Sequence, residues 1–168
     1  MENYYNPKLS KALFSLLVFA SMLMNLAKAQ PISGTKTICV SGCDYPSIAS
    51  AVTALNANGV GTGGATFNIA AGYSEALTAP LVMTATGTAA TPIIFQKSGT
   101  GANPLITAYE GIKLASSTDS LDVMWAFVGS DFVTISEIDL QESATNTTPT
   151  MMMEVGYGFY KGSAFDGC

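Results

Sequence analysis

The sequence predicts an all-β chain wound as a parallel β-solenoid with one helix near its start, and three observations carry that reading. Charged residues make up only 11% of the chain while apolar residues stay at 48%, against roughly 25% charge in an ordinary globular protein. Thr, Ser, Gly, Ala and Asn replace the missing charge, which suits strands and turns with small polar faces better than the Lys- and Glu-rich faces of long helices. Disorder needs the opposite balance, high charge with few apolar residues. Beyond Gly59 the apolar period is 2 rather than 3.6, in short runs separated by turn residues. Phe67 to Ile93 spans 26 positions and Leu81 to Leu105 spans 24, a repeat that fits one solenoid coil, whereas sandwich strands recur about every 8–12 residues. A β-sandwich is the alternative fold.

The helix comes first. Ile48, Ala51, Val52 and Leu55 stand at i, i+3, i+4 and i+7 and share one face, so a helix is expected over Ser47 to Leu55. Asp44 is placed to cap it, Pro46 fits its first turn, and Asn58-Gly59 supplies a left-handed stop. A stack of coils exposes an apolar end, and an amphipathic helix ahead of the first coil covers it. Strands follow at Thr66–Ile69, Leu81–Met83, Pro92–Phe95, Leu105–Thr107, Trp125–Val128 and Phe132–Ile135, divided by turn sequences such as Gly61-Thr62-Gly63-Gly64 and Ser98-Gly99-Thr100-Gly101.

With 168 residues the chain has room for one domain and a leader. Lys8 and Lys11 precede an apolar run from Ala12 to Leu26, closed by the small-x-small site Ala27-Lys28-Ala29, the pattern of a cleavable signal peptide. The run is shorter than the roughly 20 residues of a membrane-spanning helix, so no membrane span is expected in the mature chain. The organisation is therefore a signal peptide over 1–29, cut between Ala29 and Gln30, an N-terminal segment over 30–43, and the cap helix and first coils over 44–168. The destination is secretion or the cell surface. Cleavage leaves eleven acids against four lysines, a net charge of −7. Such a surface repels phosphate backbones, which excludes nucleic acid as a partner. Cys39 and Cys43 flank Val40-Ser41-Gly42; a small disulfide loop in an oxidising compartment and two free thiols are both open. A zinc site lacks two further ligands at metal spacing.

Asp44-Tyr45-Pro46-Ser47-Ile48-Ala49-Ser50-Ala51-Val52, followed by Ala65-Thr66-Phe67-Asn68-Ile69-Ala70-Ala71-Gly72-Tyr73-Ser74-Glu75, resembles the opening of right-handed parallel β-helix proteins of the pectin lyase-like superfamily. There a D-Y-x-x-I-x-x-A-V cap helix leads into a coil of the form x-I-x-x-G-x-Y-x-E. Thr91 to Pro104 and Asp131 to Leu140 resemble the next coils of large secreted bacterial members, many of which end in a type IX secretion sorting domain. The resemblance runs from about Thr37 to Cys168. It implies a truncated protein whose further coils, the downstream part of its own full-length chain, follow Cys168.

Candidate chemistry is sparse. With no His and no Arg, His-based triads, His metal sites and guanidinium forks are absent. Asp131, Glu137, Asp139 and Glu142 form the densest acidic group. Glu137 and Asp139, two positions apart, would lie about 7 Å apart on one strand face, a distance that suits an acid and base pair or a hard cation. The competing reading makes them the solvated side of a coil corner, because the inward set Val133, Ile135 shifts phase to Ile138, Leu140 across Ser136-Glu137. The resemblance adds no site, since the calcium-binding Asp clusters with Arg or Lys of pectate lyases, and the paired Asp with Gln and Arg of pectin methylesterases, have no counterpart here. No catalytic residue, cofactor or metal ligand is therefore assigned. Met151, Met153, Val155, Tyr157 and Phe159 share one strand face, beside Tyr160 and Phe165. Tyr157 and Tyr160 are the candidate glycan contacts, although an inward apolar stack is the commoner use of such alternation, and Trp125 reads as core. Asn146-Thr147-Thr148 fits an N-glycosylation acceptor and Asp119-Ser120-Leu121 an O-glycosylation acceptor, both short patterns.

Two functions remain open. One is a noncatalytic exported β-helix segment, adhesin-like or glycan-contacting, with polysaccharide or cell-surface glycan as partner. The other is the N-terminal portion of a polysaccharide lyase, hydrolase or esterase whose site lies beyond residue 168. The leader is directly testable: N-terminal sequencing of exported protein should begin Gln30-Pro31, and a product retaining Met1 to Ala29 overturns the assignment.

Overall fold

The computed structural model describes residues 30–111, 122–148 and 152–161. The leader with Ala29, the Asp119-Ser120-Leu121 acceptor, Met151, Phe165 and Cys168 lie outside the described residues. In chain order the elements are β1 (Ile32–Ile38), α1 (Ile48–Asn58), β2 (Val60–Ala70), β3 (Ser74–Ala76), β4 (Leu81–Met83), β5 (Ile93–Ser98), β6 (Leu105–Thr107), β7 (Val123–Val128), β8 (Val133–Ser136), β9 (Asp139–Gln141) and β10 (Val155–Tyr160). They form three sheets, ordered β1-β2-β5-β8, β3-β6-β9 and β4-β7-β10. Every strand pairing is parallel. Successive strands thus fall on successive sheets, which is a parallel β-solenoid of about four turns with a single short helix. Residues 30–43, read from the sequence as a segment ahead of the solenoid, contain β1, the outermost strand of the first sheet.

The register is set by side chains that stack on their own kind. Ala65, Ile93 and Val133 form one inward column and Phe67, Phe95 and Ile135 a second. Leu81, Trp125 and Tyr157 form a third, and Met83, Phe127 and Phe159 a fourth. Rings meet along the columns, where Phe67 stacks on Phe95 at 4.5 Å between centroids and Phe127 on Phe159 at 5.1 Å, and between them, where Phe95 meets Trp125 edge-on at 5.2 Å. Each such pair contributes roughly 0.5–1.5 kcal/mol beyond the area it buries.

The repeat read from the sequence is corrected in detail. Ile93 pairs with Ala65, and Phe67 with Phe95. Leu81 and Leu105 belong to different sheets, Leu81 pairing with Trp125 and Leu105 with Ser74. Coil length is not constant, because the connection between β6 and β7 is long and a solenoid tolerates insertions at its corners while the strands keep register. Close packing at one corner explains a glycine: Gly64 sits at φ +84°, and a Cβ there would collide with the carbonyl of Pro92 on the next coil.

Helix α1 follows β1, and its capping differs from expectation. Ser47 is the N-cap; its hydroxyl accepts from Ser50 N at 2.9 Å while Ser50 Oγ accepts from Ser47 N at 3.2 Å, a reciprocal box. Asp44 instead accepts from the backbone N–H and hydroxyl of Thr37, at 2.8 and 2.7 Å. Pro46 therefore precedes the cap rather than sitting in the first turn. Gly59, at φ 69°, closes the helix by donating to Leu55 O. Ile48, Ala51, Val52 and Leu55 are all buried, as the spacing predicts.

The helix is tied to the first coil at both ends. Glu75 of β3 shares a register position with Ile106 and Leu140, so a carboxylate occupies a column that is otherwise apolar. It accepts from Ile48 N at 2.6 Å and Ala49 N at 3.0 Å, where two unpaired N–H groups and the positive end of the helix dipole neutralise it. The Tyr73 oxygen lies 3.0 Å from Glu75 Oε2 and 3.2 Å from Pro46 O. Burial, followed by the Glu75 charge, raises the Tyr73 phenol well above its ordinary range and keeps it a donor. At the other end Asn56 Nδ2 donates to Val82 O at 2.7 Å and its Oδ1 accepts from Thr84 N and Ala85 N.

Glu75→Ala should therefore lower unfolding free energy by roughly 1–3 kcal/mol, the cost of leaving buried donors unpaired. Urea denaturation checks this, and a change within about 0.5 kcal/mol, the size of an ordinary surface substitution, refutes the tie.

Candidate functional site

The acidic residues singled out from the sequence do not converge. Glu137 is not on a strand: it stands at φ 55°, in the left-handed region, at the corner between β8 and β9. The expectation of Glu137 and Asp139 on one strand face fails for that reason, and the corner reading of the phase change is the one the backbone adopts. Glu137 Oε1 pairs with Lys97 Nζ of the preceding coil at 3.1 Å. Lys97 Nζ also donates to Asn103 Oδ1 at 3.0 Å, and Asn103 Nδ2 donates to Asp139 Oδ1 at 3.0 Å. The two carboxylates are thus linked through one lysine and one amide that clamp consecutive coils. Asp131 is exposed, and its backbone N–H donates to Thr86 Oγ1 at 3.0 Å.

Glu142 holds a separate corner. It accepts from Ser143 N at 2.8 Å, Met153 N at 2.7 Å and Asn146 Nδ2, and Asn146 Nδ2 also donates to Tyr109 O at 2.9 Å. Asn146 is only 4% exposed. The amide nitrogen that a glycan would occupy is therefore turned inward and engaged, a placement that the Asn146-Thr147-Thr148 pattern does not reveal. Among the described residues no group of three or more His, Cys, Asp or Glu gathers to hold a metal ion, and no helix is long and apolar enough to cross a membrane. Cys39 and Cys43 are joined by a disulfide, Cα to Cα 5.7 Å.

Among the described residues two recesses have the shape of a site: one of about 490 Å³ between α1 and the β3–β4 segment, lined by Ser47, Val52, Thr53, Glu75 and Leu77, and one at the last described coil. The inward columns are buried through the second coil and become accessible at the third: Val133, Ile135, Ile138, Leu140 and Tyr157 are partly buried, and Phe159 is 77% exposed. Between them lies a recess of about 360 Å³ bounded by Phe127, Val133, Ile135, Glu137, Ile138, Tyr157 and Phe159. Tyr157 points into this end, its ring tilted against Trp125 of its own column and Phe127 of the neighbouring one at 6.2 and 6.4 Å between centroids. Tyr160 folds its ring across Gly158 on the other side of β10. The two tyrosines named from the sequence therefore do not share a surface. Trp125 is fully buried. The recess brings together Ile138 and Phe159, and the sequence signal for it was the apolar alternation of β8 and β10.

Two carboxyl groups are held below their ordinary range. For Glu142, burial pushes upward but is outweighed by hydrogen bonds from Met153 N, Asn146 and Ser143 N. For Asp44, the Thr37 hydroxyl and backbone N–H lower it. A carboxylate whose folded pKa is depressed adds stability above its unfolded pKa, near 4, and loses it as pH falls through the folded value. Stability should therefore be flat at neutral pH and fall on acidification below about pH 4. Glu142→Gln should flatten that fall in an acid titration followed by near-ultraviolet circular dichroism. An unchanged profile would remove Glu142 from the account.

Set against protein-family models, curated proteins and solved structures, the chain matches none of them.

Proposed function

We propose that the chain is a noncatalytic, exported β-helix segment of a bacterial surface or secreted protein of the pectin lyase-like kind, adhesin-like in that its outer faces contact polysaccharide or cell-surface glycan weakly. The observation that carries the reading is the use of the acidic residues. Glu137 and Asp139, the best-spaced pair, are bound into a Lys97–Asn103 clamp between coils, and Glu142 is bound into a loop anchor. General acid and base work needs a carboxyl group within reach of a substrate proton and free to exchange it. Groups committed to clamping coils suit a scaffold instead. The leader-like first 29 residues and the solenoid both fit an exported protein whose work is done by repeated surface rather than by one cleft. On this reading Tyr160, half-buried on the side of β10 away from the recess and with its hydroxyl oxygen enclosed, contacts a sugar through the accessible part of its ring.

The purified protein should release no reducing ends, unsaturated products or free acid from acidic or neutral polysaccharides. It should co-sediment with insoluble glycan at affinities no better than about 1 mM, and Tyr160→Ala should weaken that retention. Turnover that Glu137→Gln or Asp139→Asn abolishes would overturn the proposal, as would retention unaffected by every outer-face substitution.

A further inference from the structure

The column of Phe67, Phe95 and Ile135 is covered at its head by something other than the neighbouring strand. The β1 residue in register with Phe67 is Lys36, yet Phe67 is fully buried. The ring that meets it belongs to Tyr45, 5.8 Å away between centroids and packed against the core. Tyr45 lies in the connection from β1 to α1, just ahead of Pro46 and the Ser47 N-cap. Whatever holds Tyr45 therefore holds both the head of a core column and the start of the helix.

Two kinds of bond do so. Tyr45 N donates to Thr37 O at 3.0 Å and Cys39 N to Tyr45 O at 3.3 Å, which sets Tyr45 as a parallel bridge partner of Ile38. Beside them Asp44 accepts from the Thr37 N–H and hydroxyl, and its own N–H donates to Thr37 Oγ1 at 3.1 Å. Thr37 and Asp44 are exposed, so water competes for these bonds and each adds little alone. The second kind is covalent. Cys39 and Cys43 enclose Val40-Ser41-Gly42 at a sequence separation of 4, and Gly42 turns the chain at φ 79°. With the ring shut, Asp44 and Tyr45 are delivered to Thr37 as neighbours; with it open, the same bonds must close a flexible loop. Cys39 and Cys43 are half-buried and Val40 is 80% exposed, so the bridge lies at the surface, open to a dissolved thiolate.

We infer that the Cys39–Cys43 disulfide is a redox latch on the cap. Oxidised, it holds Tyr45 over Phe67 and fixes the entry to α1; reduced, it releases both while the later coils stay folded. The opening step is thiol–disulfide exchange with a dithiol. One thiolate of the dithiol attacks a sulfur of the bridge, the S–S bond breaks through a mixed disulfide, and the second thiol of the reagent closes on the first. The reagent leaves as a cyclic disulfide, and Cys39 and Cys43 take up its two electrons and two protons as thiols. The inference is independent of glycan contact.

Dithiothreitol added to the purified, folded protein, with amide hydrogen exchange followed residue by residue, tests the latch. Reduction should speed exchange at Cys39, Tyr45, Ile48 and Ala49 by roughly tenfold or more and leave the amides of β5 unchanged, the pattern of a local opening. Cys39→Ser combined with Cys43→Ser should reproduce that pattern without reductant, which removes any effect of the reagent on Cys168. Tyr45→Ala, with the disulfide intact, should speed Ile48 and Ala49 to the same extent. Reduction of that variant should add less than about threefold, because both changes release one contact. Tyr45→Phe, which keeps the ring, should behave as the unsubstituted protein. Unchanged exchange at Ile48 and Ala49 on reduction would make the bridge a bystander, and an equal rise in β5 would make it a general restraint on the unfolded chain. Either result overturns the latch, as does full multiplication of the two effects in the reduced Tyr45→Ala protein. If Tyr45→Ala does not fold, the contrast between Ile48, Ala49 and β5 in the unsubstituted protein decides alone.

Discussion

Every inward position on one coil must be covered by the same position on the next, and this in-register stacking is the constraint on which the rest of the molecule depends. Parallel strands on three sheets leave no freedom to slip one column without slipping all of them, because alternate residues face opposite ways. The consequence is the repeated chemistry of the columns. Phe67 lies on Phe95, Trp125 on Leu81, and Phe127 on Met83, with the rings close enough to add to the burial energy. The same constraint requires a cover for the first member of each column, which has no preceding coil to lie on it.

The ends are treated differently. At the first coil the interior column of Ile106 and Leu140 begins with Glu75, a charge that would be costly there without a partner. The N-terminus of α1 supplies that partner through Ile48 N and Ala49 N, and Tyr73 completes the shell. The Y-x-E portion of the motif is therefore a docking device: it converts a helix lying over the stack into one locked onto it. Cap and coil specify each other, because the helix lacks acidic residues in its own first turn and the carboxylate has no ion pair with a cation among the described residues. At the last coil the columns finish in Val133, Ile135, Tyr157 and Phe159, with no such cover among the described residues.

Charge in this chain is scarce and is spent on corners. Lys97, Asn103, Glu137 and Asp139 join two coils where the backbone turns through a left-handed residue. Glu142 ties a loop to the segment leading into β10. These contacts align neighbouring coils at the positions where strand pairing stops, which is where register is otherwise weakest. They engage Glu137 and Asp139, the closely spaced acidic pair of the sequence.

Local pattern alone determined the secondary structure class, the helix at Ile48 to Leu55, the strand cores and the corner at Ser136-Glu137, because each rests on periodicity or turn chemistry within a few residues. It also marked Tyr73 and Glu75 as part of a motif without showing what they bind. Tertiary structure alone decided which strands are neighbours. The sequence repeat matched Leu81 with Leu105, yet they lie on different sheets, since coil length varies and pairing is set by where corners fall in space. It also decided that Asn146 turns inward, toward a partner 37 positions away that no local window of sequence contains. The Ser47 cap and the opposite faces of Tyr157 and Tyr160 rest instead on residues three positions apart, so they were legible locally, Ser47–Ser50 as a capping pair and the tyrosines as opposite parities of one strand.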